Sequence, residues 1–526
     1  MIMAWRRAAR RVPDGTAAAV THGIFIFLII VEVVRSWRHA MFRDEFVTYW
    51  IAVSSSSFGD VLSHMKYTAH PPLLYVLEWL VTRVTSDPVA IQVMQFGLAI
   101  SVWILIYTQS PFSRTEKILF LLSYFLFWEY FIISRSYVLI ALIGFAFIAL
   151  RERQPRPEFA LWLMLGLLAN THMYSTIWSM VLAAMLAIEV VRRPSAPRYV
   201  SVVGAAVYLA LLAFAIVMME PPPQYNLSSS LVHFSFERLN DDTYTPVGAF
   251  VPFSPGEVLQ AINLFAHWGP PVVPEFWGAS PTPQVVALTH ADTDHPVRLL
   301  LLFAAPVAAC WFVTRNWLLV LEFFLVYLGI VLFENAWDFS GRATHHGVVF
   351  LAFVAAVWSA RARRPSAVWS PWLFGGILVV NAFGGMLSLA SELQPFSESY
   401  ETATWIKQNN LADAFLIGSR DALVSTVVGY LHRPIYYLGC ECSRPFEIWD
   451  DTRHGKLTDE EFASRLAKAV TLAGQRDPIL IRSRPVTEAD LSLASPRLSA
   501  TPLKSFADAQ TDEKFWIYRL SAQQAP

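Results

Sequence analysis

Asp44 and Glu45 stand side by side in Phe42-Arg43-Asp44-Glu45-Phe46, shortly after the first long apolar stretch of the chain. A carboxylate there can take a proton from an attacking hydroxyl as general base, or ligate a divalent cation. An acidic juxtamembrane loop would carry the same residues, so the pair alone does not decide. Val47 to Phe58 follows with the pattern of an amphipathic helix lying on a surface.

Four further polar clusters interrupt apolar runs. In His70-Pro71-Pro72-Leu73-Leu74-Tyr75 the prolines suit a helix start, whose first N–H groups lack partners in any case. His70 is thus expected at the mouth of that helix, near the carboxylates. In Ser134-Arg135-Ser136-Tyr137 the arginine is costly unless paired or wetted. Its planar fork suits a phosphate oxygen, although an arginine reaching for the interface would look alike. Asn170-Thr171-His172-Met173-Tyr174 is either a polar site or the turn of a plain helical hairpin. Arg342, His345 and His346 lie in Asp338-Phe339-Ser340-Gly341-Arg342-Ala343-Thr344-His345-His346-Gly347, where a helix begins. Phosphate binding or leaving-group stabilisation suits them. Adjacent histidines on a helix point about 100° apart, so both are not expected on one metal.

The elements that must position these residues are transmembrane helices. Of the 526 residues 55% are hydrophobic and 15% charged, against about 25% charged in a soluble domain. Apolar segments fall at 17–34, 71–85, 90–108, 117–133, 136–150, 159–171, 175–191, 199–219, 297–313, 317–333, 344–360 and 369–391. The first follows Arg6, Arg7, Arg10 and Arg11 and has no small-residue cleavage site, so it is expected to stay as a helix. The basic clusters 6–11, 114–117, 151–156, 192–198, 315 and 361–364 orient the path with their side cytoplasmic. Loops 35–70, 220–296 and 334–343, the turns at 134–135 and 172–174 and the tail then fall outside, with all five polar clusters. Only 71–85 breaks the parity, which marks it as a short or re-entrant helix unless the charge signal at 114–117 misleads. Roughly 11–13 crossings are expected.

The net charge of −1 favours no nucleic acid. Three cysteines make no disulfide framework; Cys440 and Cys442 in their C-x-C could serve a metal or redox role, but a lone C-x-C is a weak signal and they are expected to be plain structural residues. The 220–296 loop exceeds an ordinary connection, which favours a functional or lid role. In the tail, Phe415–Gly418, Pro434–Leu438, Ile479–Ile481 and Phe515–Tyr518 read as short buried strands, with a helix at 456–474. That pattern suggests a small α/β domain.

The order of these motifs resembles the GT-C glycosyltransferases of the family 39 type, among them protein O-mannosyltransferases and the transferase that puts aminoarabinose on lipid A. Asp44-Glu45 matches the family's acidic pair in the first external loop. His70 to Leu73 matches its H-P-P-L helix start, and Arg135 with Tyr137 an R-x-Y element. Thr171-His172-Met173-Tyr174 matches a T-H-Y break with Met inserted, a departure at Tyr174. The likeness covers roughly residues 15–390. It implies a polytopic α-helical membrane protein, GT-C-like over 1–391, with an extracytoplasmic α/β domain over 392–526.

The resemblance also implies a polyprenyl-phosphate-linked sugar as donor and an inverting transfer to a hydroxyl of a lipid, glycan or protein acceptor. Asp44 would be the base and Glu45 its aid. His70, Arg135, Tyr137, His172, Arg342 and His345 would face the donor phosphate among membrane lipids. A divalent ion could assist, but no tight ligand set is legible. The expected setting is a bacterial inner membrane with the site facing away from the cytoplasm. A transporter or flippase of lipid-linked substrates, a ligase or polymerase of lipid-linked glycans, and a non-catalytic assembly factor are the competing classes. The absence of an internal repeat speaks against the transporter.

Overall fold

The structure, a computed structural model, describes residues 14–192, 194, 196–220, 222, 236–240, 243–247, 296–336, 343–364, 371–445, 457–494 and 497–522. Its first part is a bundle of helices. These are α1 (Asp14–Arg38), α2 (Arg43–Ser54), α3 (Phe58–Met65), α4 (Leu73–Thr82), α5 (Val89–Gln109), α6 (Arg114–Leu121) and α7 (Tyr137–Arg151). Then come α8 (Glu158–Ala169), α9 (Met173–Arg192), α10 (Arg198–Met219), α11 (Pro296–Thr314), α12 (Trp317–Ala336), α13 (Ala343–Arg363) and α14 (Pro371–Ser391). Between α10 and α11 only the antiparallel hairpin β1 (Phe236–Asn240) and β2 (Thr243–Val247) is described, so the lid expected at 220–296 lies mostly outside the described residues.

Six helices among the described residues are long and apolar enough to cross a bilayer: those at Ala18–Arg38, Val89–Gln109, Met173–Arg192, Arg198–Met219, Thr344–Arg363 and Pro371–Ala390. The protein is a multi-pass, mostly helical membrane protein. The segment 71–85 holds a helix too short to span an apolar layer by itself. Its helix α4 has ten residues, which at 1.5 Å rise reach about 15 Å, half of an apolar layer of ~30 Å.

Two sequence expectations change. The run 117–133 is not one helix. It is α6 followed by a π-helical turn at Phe125–Glu129 and irregular backbone up to Ser136. Tyr130 N–H closes the wide turn on Phe125 C=O at 2.7 Å. Tyr124, Phe125, Phe127, Trp128 and Tyr130 are all buried, so the segment is covered on every side and shows no period from which its break could be read. The surface helix expected at 47–58 instead runs from Arg43 to Ser54 and buries most of its residues, because other elements cover both of its sides.

One covering element is α4; the other comes from the end of the chain. There α15 (Ser399–Gln408) and α16 (Asp421–Leu431) pack beside a six-stranded sheet of order β5-β4-β3-β6-β8-β7. Its strands are β3 (Phe415–Ser419), β4 (Ile435–Tyr437), β5 (Cys442–Arg444), β6 (Pro478–Arg482), β7 (Leu498–Phe506) and β8 (Phe515–Ala522). β3 is parallel to β4 and β6, while the other pairs are antiparallel. Helices α17 (Asp459–Ala473) and α18 (Glu488–Ser492) complete this small α/β domain. A disulfide joins Cys440, in the turn after β4, to Cys442, the first residue of β5. The strands β5 and β7 were not legible, since β7 is largely exposed and lacks a buried apolar run.

One hydrophobic cluster joins the two parts. Phe46, Tyr49 and Ile51 of α2 share it with Leu423, Val424, Val427 and Val428 of α16 and with Leu416, Ile479 and Phe515 of the sheet. At the opposite end of the bundle, Arg151 is buried between Glu189 and Glu322, and Arg361 bridges to Glu116. These arginines, read from the sequence as markers of the cytoplasmic side, tie five helices together.

Candidate active site

The site is built where α2 begins. Phe42 is extended at φ −110°, ψ 179° and caps the helix. Glu45, three residues on, returns its carboxylate to the Phe42 N–H at 3.0 Å, half of a capping box. The same carboxylate accepts from Ser134 N–H at 2.6 Å and meets His39 Nε2 at 2.9 Å. Glu45 is fully buried, so it joins the first loop to the break before α7 and presents no face to a substrate.

Asp44 points the other way, as the next position on a helix must. Its side chain is 37% exposed and forms an ion pair with Arg135. Arg43 Nε lies 3.9 Å from its other oxygen. Arg135 itself sits in the irregular turn between Ile133 and α7, its guanidinium 5.9 Å from the Tyr137 ring centre. The break at 134–136 thus serves both carboxylates: its backbone holds Glu45 and its side chain meets Asp44.

Behind the ion pair lies a cluster of imidazoles and phenols. His70 Nδ1 is 2.5 Å from Thr68 C=O. Three residues on, Leu73 N–H donates to Asn170 C=O at 2.9 Å, so the prolines bring the start of α4 against the break before α9. The His70 and His172 rings are 5.6 Å apart. His172 accepts the Tyr174 N–H on Nδ1 at 3.3 Å. Its neutral ring therefore carries the proton on Nε2, which faces the Tyr137 hydroxyl at 3.2 Å. His345, at the start of α13, completes the group, 5.9 Å from His172, 6.0 Å from Tyr137 and 5.3 Å from Tyr174 between ring centres.

Burial and the nearby Arg135 charge push the His70 imidazole down to about 4. Burial likewise pushes His172 well below its usual value, helped by His70, His345 and Arg135. These rings are neutral hydrogen-bonding groups at neutral pH, and Arg135 brings a cation to the cluster.

Seven of the eight residues singled out by sequence, Asp44, Glu45, His70, Arg135, Tyr137, His172 and His345, come together here. Arg342 lies outside the described residues. His346 is buried on another side of α13, as the 100° spacing demands. Among the described residues, no group of three or more His, Cys, Asp and Glu side chains could hold a metal ion.

Sequence reasoning missed several members. His39 follows α1 as an ordinary interfacial residue, and only its 2.9 Å approach to Glu45 distinguishes it. Glu78 of α4 is fully buried and accepts from the Thr48 hydroxyl at 3.1 Å. A glutamate inside a ten-residue apolar helix was the available signal. Asp512 and Glu513, which reach Arg43 from the far end of the chain, carried no signal at all.

No protein-family model and no curated protein sequence matches this chain. The chain is similar in course to two crystal structures of ArnT from Cupriavidus metallidurans. In the apo state the TM-score is 0.42 at 14% identity, over 95% of this chain and 98% of that one. In the structure bound to undecaprenyl phosphate it is 0.39 at 12% identity, over 96% of this chain and 98% of that one.

Proposed function

We propose that this protein transfers a sugar from a polyprenyl-phosphate donor to an acceptor hydroxyl, with inversion, on the extracytoplasmic side of the membrane. One observation carries the proposal: the accessible carboxylate Asp44 is paired with the guanidinium Arg135, while neutral imidazoles stand behind them. A base for a hydroxyl and a cradle for a phosphate therefore adjoin.

The pairing also suggests an order of events. Donor phosphate oxygens compete with Asp44 for Arg135, whose fork binds phosphate in the same way as carboxylate. Asp44, released, turns to the acceptor hydroxyl and takes its proton as the oxygen attacks the anomeric carbon. The bond between that carbon and the phosphate oxygen breaks, and its electrons leave with the polyprenyl phosphate. Arg135 meets the developing charge, with Tyr137, His70, His172 and His345 as nearby hydrogen-bonding groups and Arg342, next to α13 in sequence, as a further candidate. A single displacement inverts the anomeric centre. Glu45 holds the loop rather than touching the acceptor. The lipid tail lies between transmembrane helices, and the acceptor is a lipid, glycan or protein hydroxyl.

The test is transfer from a panel of radiolabelled polyprenyl-phosphate sugars in purified membranes. Transfer from at least one donor, abolished in Asp44→Asn, is expected. No turnover with any donor despite folded protein would overturn the proposal.

A further inference from the structure

The C-terminal domain meets the start of α2 at the turn before β8. Glu513 Oε1 accepts the backbone N–H of Arg43 at 2.8 Å, across 470 residues of chain. Arg43 is the first residue of α2, and Asp44 the second. An N–H at that position has no partner within its own helix. Glu513 supplies it. Asp512 receives the Arg43 guanidinium at 3.2 Å on one side, with Asp44 on the other.

This contact is part of a wider clasp. Tyr430 of α16 accepts the Met41 N–H at 2.8 Å, and Ser399 of α15 donates to Met41 C=O at 3.2 Å. Phe46 of α2 lies so close over Gly429 that an added Cβ would sit 2.1 Å from its ring. Glu513 is itself fixed, because its own C=O accepts Glu398 N–H at 3.1 Å. The entry to α2 is thus held by Glu45 from within the bundle and by Ser399, Tyr430, Asp512 and Glu513 from the C-terminal domain.

We infer that Glu513 is a positioning residue for Asp44: it caps the helix that carries Asp44, and with Asp512 it sets where Arg43 stands beside that carboxylate. The C-terminal domain is then a working part of the site rather than an appendage. The catalytic half of this inference rests on the transferase reading above; the physical half does not.

The experiment uses the full-length protein in detergent or lipid. Glu513→Ala removes the acceptor, Glu513→Gln keeps an amide oxygen at the same distance, and Asp512→Asn removes an exposed charge with little risk to folding. Amide hydrogen exchange over residues 42–47 is read first. Glu513→Ala is expected to raise it at least about tenfold, and Glu513→Gln to reverse most of that rise. Transfer is read second, with turnover expected to fall about tenfold or more while donor KM changes little, and Gln recovering part of the loss. Asp512→Asn is expected to lower turnover by a smaller factor at unchanged exchange.

Unchanged exchange in Glu513→Ala would overturn the cap itself. Raised exchange with unaltered turnover would overturn the positioning role. If the wild type transfers from no donor while exchange behaves as expected, the transferase reading fails and the cap stands.

Discussion

Asp44 and Arg135 form an ion pair across 91 residues of chain, and the adjacent Glu45 receives the backbone of Ser134 from the same turn. Neighbouring carboxylates thereby hold neighbouring residues, one by side chain at the mouth and one by backbone in the interior. The two acids are expected to fail differently when changed.

Asp44→Asn keeps the shape of the side chain and removes the base. Transfer is expected to fall by about 10²- to 10⁴-fold, with the thermal midpoint of the detergent-solubilised protein nearly unchanged because the side chain is partly exposed. Initial rates at saturating donor and acceptor decide. Full activity in the asparagine variant would remove Asp44 from the mechanism.

Glu45→Ala leaves two buried N–H groups and His39 without their acceptor. A loss on the order of 3 kcal/mol of stability is expected, seen as a lower midpoint or poor recovery from membranes. A variant as stable as the wild type would show that Glu45 is not the clasp inferred from its burial.

Arg135→Lys keeps the charge but cannot make a two-pronged contact. Donor binding is expected to weaken, with KM for the polyprenyl-phosphate sugar rising by about tenfold while the protein remains folded. An unchanged KM with lowered turnover would move Arg135 from donor binding to another step.

His70 supplies a pH dependence. Its folded value is depressed to about 4 from the ordinary 6.5. The folded protein prefers the neutral ring, so this contribution is complete above about pH 6.5 and is lost as pH falls through the folded value. The unfolding midpoint is expected to drop between pH 6.5 and 4, and the drop to be smaller in His70→Gln. Parallel curves for the two proteins would refute it.

Gly347 admits no larger residue without movement. A Cβ there would meet the Tyr130 hydroxyl at 2.1 Å and the Phe125 ring at 2.4 and 2.6 Å. Tyr130 is anchored to Thr344 C=O at 2.6 Å, one turn before the glycine. Gly347→Ala is expected to destabilise by about 2 kcal/mol and to lower transfer further by shifting His345. A fully active, stable alanine variant would show that α13 and the π-helical turn can part freely.

The amino-acid sequence by itself determined the class of molecule and the neighbourhood of its polar residues. Long apolar runs must satisfy their backbone as helices in lipid, so most of the helices α1 to α14 follow the hydropathy closely. Polar residues that interrupt such runs are costly unless grouped or wetted, which is why His70, Arg135, His172 and His345 could be singled out far apart in sequence. The sheet strands β3, β4, β6 and β8 were legible for a related reason: short apolar runs between polar segments have few other places to go.

Other features depended on contacts that no local pattern encodes. The turn at Phe125–Glu129 is buried on all sides, so its break left no period to read. Asp44 and Glu45 are chemically alike and adjacent; only the covering of α2 by α4 and the C-terminal domain buries one and leaves the other open. His39 and Glu513 became part of the site solely through distance, the first six residues from its partner and the second 470. Local pattern reports what a residue prefers to be near, whereas its role here is set by which groups the folded chain brings within 3 Å of it, and that is decided by packing across the whole molecule.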